Sequence, residues 1–376
     1  MNKMIALRIF LVMILSVSTS LVCAQEGNKE IDSLIGTANS FIFKNPQKTI
    51  EIGKDILKKK NIESSYKISS YILISNGYSG LNDYQKSIEF ALKANELSEQ
   101  TKDIANQIRT LGLIGNQYIR IEMRDEAWHY LDKADKLSQT ISLPKSKKYL
   151  IGNINLLKGF LYKRSLDCGY AIKHFDKAIN EFKKDKDNGF AKANLGQAYN
   201  QKAYCYLNIN KDSAQVSFEN GLADARKNGA KSLECNALIG LSEIKNYRKD
   251  FDSSNEMLLS ALPLSKEAQQ IEMESRIYKL LAENFIELND FENHQKYQKL
   301  FDSTQSKFAL EDVKSMNELI QKRNEFKQKT FESEQKKYVI IIYVLLGILV
   351  LSGLILSYLL VKKSKKINNN INNRIS

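Results

Sequence analysis

Histidine and cysteine would be the easiest reactive side chains to recognise in this sequence, and their spacing argues against a reaction centre. The three histidines, His129, His174 and His294, are far apart, and no HExxH pair, glycine-rich phosphate loop or GxSxG turn occurs. His129 and His174 adjoin Trp128 and Phe175 within helical patterns, where packing or surface roles are expected. We therefore predict no enzyme activity, no metal site and no cofactor.

Four cysteines are present, and one of them, Cys23, lies in the N-terminal apolar segment. The other three are Cys168, Cys205 and Cys235, an odd number without CxxC spacing, so at least one must be unpaired. We expect all three to be buried thiols on helices.

A repeat of about 34 to 43 residues organises the rest of the chain. Its clearest unit joins LGLIGNQY (Leu111–Tyr118) to DEAWHYLDKADKL (Asp125–Leu137), with Ala127 nine residues after Tyr118. Each segment has apolar or small residues at helical spacing, which predicts a helix pair. The same spacing recurs in segments marked by Tyr71, Gly159, Leu238 and Tyr278, and less regularly around Thr49 and Ala214.

Two short antiparallel helices cannot bury their apolar faces alone, so pairs of this kind stack into a continuous core. The pattern resembles the tetratricopeptide repeat (TPR), although Leu111 and Leu238 stand where that family has a bulky aromatic residue. About seven such units would extend from residue 30 to about 305. The resemblance implies an all-α superhelical solenoid; an unrelated helical bundle is the alternative.

In the TPR family, polar side chains of the first helices capture peptides from a concave groove, and the resemblance suggests the same positions here. Counting from the Leu111 register gives the candidates Asn76, Arg109, Asn116 and Arg120, and Lys163 falls nearby in the next unit. Arginine and asparagine can bind a carboxylate or backbone amides without further chemistry. The alternative for each is an ordinary solvated helix face.

A membrane span is indicated near the C-terminus by Val339–Val361, 23 residues without a charge. At the helical rise they reach about 35 Å, enough for a hydrocarbon core of about 30 Å. Fifteen residues follow, among them Lys362, Lys363, Lys365, Lys366 and Arg374. This basic tail, 362–376, is expected inside the cytoplasm.

Residues 1–24 have the pattern of a cleaved signal peptide: basic Lys3 and Arg8, an apolar run, and small residues before Gln25. A lipoprotein, lipidated at Cys23, is the alternative. Export and a single span place residues 25–338 outside the cytoplasm, so we predict a single-pass protein of a bacterial inner membrane with its repeats in the periplasm.

Between the repeats (25–305) and the span (339–361), residues 306–338 read as a charged helical stalk. Its apolar residues are spaced mostly three or four apart: Leu310, Val313, Met316, Ile320 and Phe326. A coiled-coil homodimer and a single solvated helix both remain open, because Arg323 occupies a position where a seam needs an apolar residue.

The formal charge of +13 does not indicate nucleic-acid binding, because five positive charges lie in the tail, Lys3 and Arg8 lie in the signal, and the rest alternate with acids. The domain order resembles bacterial membrane-anchored TPR regulators whose cytoplasmic part is a histidine kinase or a helix-turn-helix module. Fifteen residues are too few for either. We therefore expect an extracytoplasmic module for protein or peptide partners, or alternatively a truncated, output-less signal-transduction sensor.

Overall fold

The computed structural model describes residues 28–42, 44–185 and 188–375, and this part of the chain is helical without any strand. The predicted all-α class is therefore confirmed. The predicted signal peptide, 1–24, lies outside the described residues. A short 3-10 helix, Lys145–Lys147, interrupts the longest connection between helices.

The described helices are, in chain order, α1 (28–41), α2 (Pro46–Lys58), α3 (Ser64–Gly80), α4 (Tyr84–Gln100), α5 (Ile104–Arg120), α6 (Arg124–Ser138), α7 (Tyr149–Arg164), α8 (Cys168–Lys184), α9 (Gly189–Tyr206), α10 (Lys211–Asn228), α11 (Lys231–Tyr247), α12 (Phe251–Glu267), α13 (Ile271–Glu287) and α14 (Phe291–Ile375).

Consecutive helices form antiparallel pairs because very short loops join them. Three residues connect α3 to α4 and α5 to α6, and such loops leave no room for anything but an antiparallel neighbour. The second helix of a pair also packs on the first helix of the next, and the first helices α5, α7, α9, α11 and α13 contact one another in sequence. The predicted stacked-pair solenoid is thus the observed architecture.

Small residues allow the two helices of a pair to approach closely. In the pair α5/α6, a Cβ atom at Gly115 would lie 2.8 Å from Leu131 Cγ. Leu131 and Ala127 are completely buried on the facing helix. The close approach therefore depends on a glycine at this position, and the large side chains fill the space that remains.

The loops between most helices share one backbone device, a left-handed residue at their middle position. Asn82, Lys102, Glu122, Leu166, Lys249 and Asn289 all have φ between 54° and 61°. In five of these six loops the next residue is an aspartate that caps the following helix; Asp103, for example, accepts a hydrogen bond from the backbone N–H of Asn106. This sharp reversal returns the chain to the same core after every helix.

The boundary between two compact units, at Glu318, falls within α14. In the second unit, the helix contains an 18-residue window of mean hydropathy 3.1, long and apolar enough to cross a membrane by length and composition. In the first unit, the predicted stalk residues Leu310, Val313 and Met316 are exposed on α14.

Candidate functional site

The five residues predicted to bind a partner lie on three first helices. Asn76 is on α3, and Arg109, Asn116 and Arg120 share α5; Arg120 is exposed and the other three are half-buried. At 100° per residue, the three α5 side chains fall within a narrow sector of the helix, so they share one face. Within the described residues, no hydrogen bond or ion pair joins any two of the five.

Lys163, on α7, is the predicted residue that belongs to a larger cluster. Its Nζ donates a hydrogen bond to Gln201 Oε1 at 2.7 Å and lies 5.0 Å from the ring centroid of Tyr204, both on α9. Burial lowers the pKa of Lys163, and the nearby Arg276 guanidinium acts in the same direction. Cys168 and Cys205 oppose this shift, but thiols are weak counter-charges. Among the described residues, no carboxylate forms an ion pair with the Lys163 ammonium.

Tyr204 connects this lysine to α11 and α13. Its hydroxyl donates to the backbone oxygen of Asn236 at 3.1 Å, and Arg276 Nη1 donates to the same hydroxyl at 3.4 Å. The Arg276 guanidinium also lies 5.2 Å from the Tyr204 ring centroid. Burial raises the pKa of Tyr204 to about 12, so the hydroxyl remains protonated at neutral pH.

The positive charge of Arg276 is balanced by a carboxylate, whereas that of Lys163 is not. Arg276 Nε donates to Glu243 Oε1 at 2.9 Å, and its Nη2 makes a second close contact with the same oxygen. One of the two cations beside Tyr204 therefore has a carboxylate, and the other has a neutral amide. We call Lys163, Gln201, Tyr204, Asn236, Glu243 and Arg276 the polar cluster; its net charge is one positive unit in a partly desolvated place.

Four residues of the polar cluster occupy the same positions in their helices as Arg109 and Asn116 occupy in α5. Asn116 follows the small residue Gly115, and in the same way Tyr204 follows Ala203 and Glu243 follows Ser242. Arg109 precedes Gly115 by six residues, as Asn236 precedes Ser242 and Arg276 precedes Ala282. Extending the count to α9, α11 and α13 would have identified Tyr204, Asn236, Glu243 and Arg276.

The histidines are engaged in packing contacts. His174 Nδ1 lies 2.9 Å from Asn155 Oδ1 and its ring stacks on Tyr162, while His294 Nδ1 lies 2.9 Å from the backbone oxygen of Ala282. His129 is exposed and makes an edge contact with Tyr130. In the described part of the chain, no three His, Cys, Asp or Glu side chains are grouped as metal ligands.

Comparison with solved structures identifies TPR-type helical-repeat proteins as similar in fold. The chain is similar to a STAND protein with a tetratricopeptide repeat sensor from Pyrococcus horikoshii, with TM-score 0.60, 15% identity, and coverage of 73% of this chain and 40% of that one. It is also similar to the apo form of the quorum sensor NprR from B. thuringiensis, with TM-score 0.53, 16% identity, and coverage of 74% and 81%.

A third similar structure is the Rap conjugation gene regulator of plasmid pLS20 in complex with the Phr* peptide, with TM-score 0.50, 14% identity and 71% coverage of both chains. The present chain thus spans 40% of the STAND protein's length and most of the other two. No protein-family model matches the sequence, and no curated protein matches it. At these identities the likeness establishes the fold.

Proposed function

We propose that this chain is a membrane-anchored module that binds a protein or peptide outside the cytoplasm, with an anionic group of the partner at Lys163. The observation that carries the proposal is the Lys163 ammonium, which is partly desolvated and paired with the neutral Gln201 amide. Partial desolvation of a cation with no carboxylate partner is costly, and a ligand carboxylate would relieve that cost while gaining a charge-assisted hydrogen bond.

The composition of the polar cluster supports a peptide as the ligand. Beside the lysine it offers the Gln201 Nε2 group as a donor and Glu243 Oε2 as an acceptor, because the Tyr204 hydroxyl already donates to Asn236 and Glu243 Oε1 already accepts from Arg276. These two groups can meet an acceptor and a donor of a peptide backbone. Two of the similar structures are described as a quorum sensor and as a complex with a peptide. The ring of Tyr204 adds an apolar contact surface at low conformational cost.

Anchoring rests on the apolar part of α14. Leu349 and Leu354 are 69% and 63% exposed, and their neighbours in the same stretch are exposed to a similar degree. Soluble chains rarely leave an apolar surface of this size in water, whereas lipid would cover it. The lysines after Val361 and the signal pattern at 1–24 support a periplasmic position for the repeats.

The proposal can be tested with the full-length protein in detergent and a displayed peptide library rich in acidic residues. Peptides selected on the wild type should bind Lys163→Gln at least about tenfold more weakly, the loss of roughly one charged hydrogen bond. Lys136→Ala, which removes an exposed lysine of α6, is the matched control and should leave affinity unchanged. Equal affinity of both variants for every selected peptide would refute Lys163 as the anchor.

A second arm tests whether the ligand extends to α5. The triple change of Arg109, Asn116 and Arg120 to Ala should weaken capture and leave the melting temperature nearly unchanged. Arg120 is exposed, Arg109 and Asn116 are only half-buried, and no hydrogen bond or ion pair joins the three, so their truncation costs little folding energy. If only Lys163→Gln weakens capture, the bound segment is confined to the side of the solenoid formed by α7, α9, α11 and α13.

A further inference from the structure

A cavity of about 400 Å³ lies among α8, α9 and α10. Its lining comes from the last turn of α8, the first turns of α9 and the last turns of α10. Gln201 and Tyr204 of the polar cluster are instead in the C-terminal half of α9, so the two places are separate. We call this place the α8–α10 cavity; its volume is at the low end of the range for small-molecule sites.

The floor of the α8–α10 cavity is apolar. Phe182 and Ala191 line it and are each only 1% exposed, and Leu195 lines it while packing against the same core. The ring of Phe182 also lies 6.3 Å, centroid to centroid, from that of Phe190, which fixes its position. An apolar group of a ligand would therefore meet a preformed apolar surface.

Three exposed lysines, Lys183, Lys192 and Lys227, line the same cavity. Arg226, next to Lys227 in the chain, pairs with Glu234 at 2.8 Å. In the part of the chain that the structure describes, none of the three lysines has an ion pair of this kind. The cavity thus has several ammonium groups that a ligand carboxylate can reach on flexible side chains.

Asp224 brings one half-buried carboxylate to the cavity. A Cβ atom at Gly196 would lie 3.0 Å from Asp224 Oδ2, so the carboxylate lies directly against α9. Burial raises the pKa of Asp224, and the opposing effects of the Gly196 backbone, the Asn228 amide and Lys227 do not cancel this shift. Although three lysines line the same cavity, no described lysine or arginine forms an ion pair with Asp224.

We infer that the α8–α10 cavity binds a free amino acid with an apolar side chain, whose ammonium pairs with Asp224 and whose carboxylate meets the lysines. A simple anion would bring its charge close to Asp224, and a simple cation would bring its charge close to three lysines. A zwitterion avoids both repulsions, and its ammonium gives the partly desolvated carboxylate a charge-assisted hydrogen bond. The apolar floor then accommodates the ligand side chain.

The test is isothermal titration calorimetry of the full-length protein in detergent at neutral pH, with L-leucine, L-isoleucine, L-methionine and L-phenylalanine added separately. At least one of them should bind with a Kd of about 1 mM or tighter. Its analogues without the ammonium or without the carboxylate should each bind at least about tenfold more weakly, because each loses one charged contact. For L-phenylalanine these analogues are 3-phenylpropanoate and 2-phenylethylamine.

Asp224→Asn keeps the shape of the side chain and removes its charge. It should abolish the advantage of the amino acid over the analogue that lacks the ammonium, and it should leave the melting temperature unchanged, since burial already disfavours the charged carboxyl. Glu219→Gln, at an exposed position of the same helix, is the matched control and should keep that advantage. Lys163→Gln should also keep it, which separates this site from the peptide site proposed above.

The combined change of Lys183, Lys192 and Lys227 to Gln should weaken the amino acid and the analogue that keeps the carboxylate by at least about tenfold, at little cost to folding because all three are exposed. Failure of all four amino acids to bind would overturn the inference. So would an analogue that binds as tightly as its amino acid, or an unchanged preference for the ammonium in Asp224→Asn.

Discussion

At the residue scale, two glycines of α5 have opposite surroundings and give a sharp test of the packing. A Cβ at Gly115 would lie 2.8 Å from Leu131 Cγ, whereas one at Gly112 would make ordinary contacts with Asn153 Nδ2 at 3.5 Å and Ile154 Cγ1 at 3.9 Å. Gly115→Ala should therefore destabilise the fold by about 1–3 kcal/mol through overpacking. Gly112→Ala should raise stability by up to about 1 kcal/mol, the ordinary gain of alanine in a helix.

Urea unfolding of the full-length chain in detergent, followed by circular dichroism, measures both values. A destabilisation by Gly112→Ala equal to that of Gly115→Ala would mean that α5 and α6 do not approach each other as described.

His174 makes the stability depend on pH. Burial, with the charges of Lys158 and Lys177, lowers the pKa of His174 from its ordinary 6.5 to about 4, against the opposing effect of Asp135 and Asp132. As pH falls below 6.5 the unfolded chain binds a proton that the folded chain excludes until about pH 4. Stability should thus fall across this window, by on the order of 3 kcal/mol at its lower end.

The measurement is the difference in unfolding free energy between wild type and His174→Gln from pH 7 to pH 4. The difference should shrink as pH falls, because the variant lacks the titrating group. His129→Gln, at an exposed position, should run parallel to the wild type; a wild type that keeps its full advantage at pH 4 would contradict the shift.

The sequence predicted individual members of the candidate site better than their assembly. Lys163 could be placed near the register because the small residue Gly159 marks α7. Tyr204 follows the small residue Ala203, but counting back from Ala214 by the spacing of the other units misses it by one residue. The contact between Arg276 and Tyr204, 72 residues apart, needs the stacking of α9, α11 and α13 and has no local signal.

At the scale of elements, the helix pairs could be predicted because most pairs carry their own small and large apolar residues at fixed spacing. Helix propensity alone would not have divided the chain correctly, since few prolines mark the boundaries. The loops were harder to predict from the sequence, because most of the loop residues with a left-handed backbone conformation are lysine, glutamate, glutamine or leucine rather than glycine. The repeated geometry, imposed by helices that must turn back onto one core, overrides the local preference there.

Leu166 shows the cost of this arrangement. It has φ of 60° and is 92% exposed, so its side chain contributes almost no packing while its backbone occupies a region unfavourable to residues with a Cβ. Leu166→Gly should therefore stabilise the protein by about 0.5–1 kcal/mol after the entropy of the unfolded glycine is deducted.

Ser165→Gly is the matched control, because Ser165 is in the same loop with φ of −85°. It should destabilise by about 1–2 kcal/mol, since glycine adds entropy to the unfolded chain and removes the hydrogen bond that Ser165 Oγ donates to the backbone oxygen of Leu161. Opposite signs for these neighbouring changes, measured as urea midpoints, are the expected outcome; a loss of stability in both would refute the left-handed loop.

At the scale of the whole molecule, the two compact units differ in what covers their apolar side chains. In the first unit, residues such as Leu111 and Phe175 are buried by neighbouring helix pairs. In the second, the apolar side chains of α14 are exposed along the helix. Repeat stacking therefore explains the order of the first unit, and a lipid environment is the natural complement of the second.

The membrane proposal predicts opposite environments for the two ends of α14. Val339–Val361 is long enough to cross the hydrocarbon core, and the basic residues after it favour the cytoplasmic side. A reporter enzyme that is active only in the cytoplasm should therefore work when fused after Ser376 and fail when fused after Lys299. A reporter active only after export should give the reverse pattern, which excludes poor expression as the cause.

Replacing Lys362, Lys363, Lys365 and Lys366 by glutamine should reduce the cytoplasmic signal at Ser376 by weakening the preference for that orientation. Cytoplasmic activity after Lys299 would place the polar cluster inside the cell and overturn the extracytoplasmic part of the proposed function, while the peptide-binding test at Lys163 would stand independently.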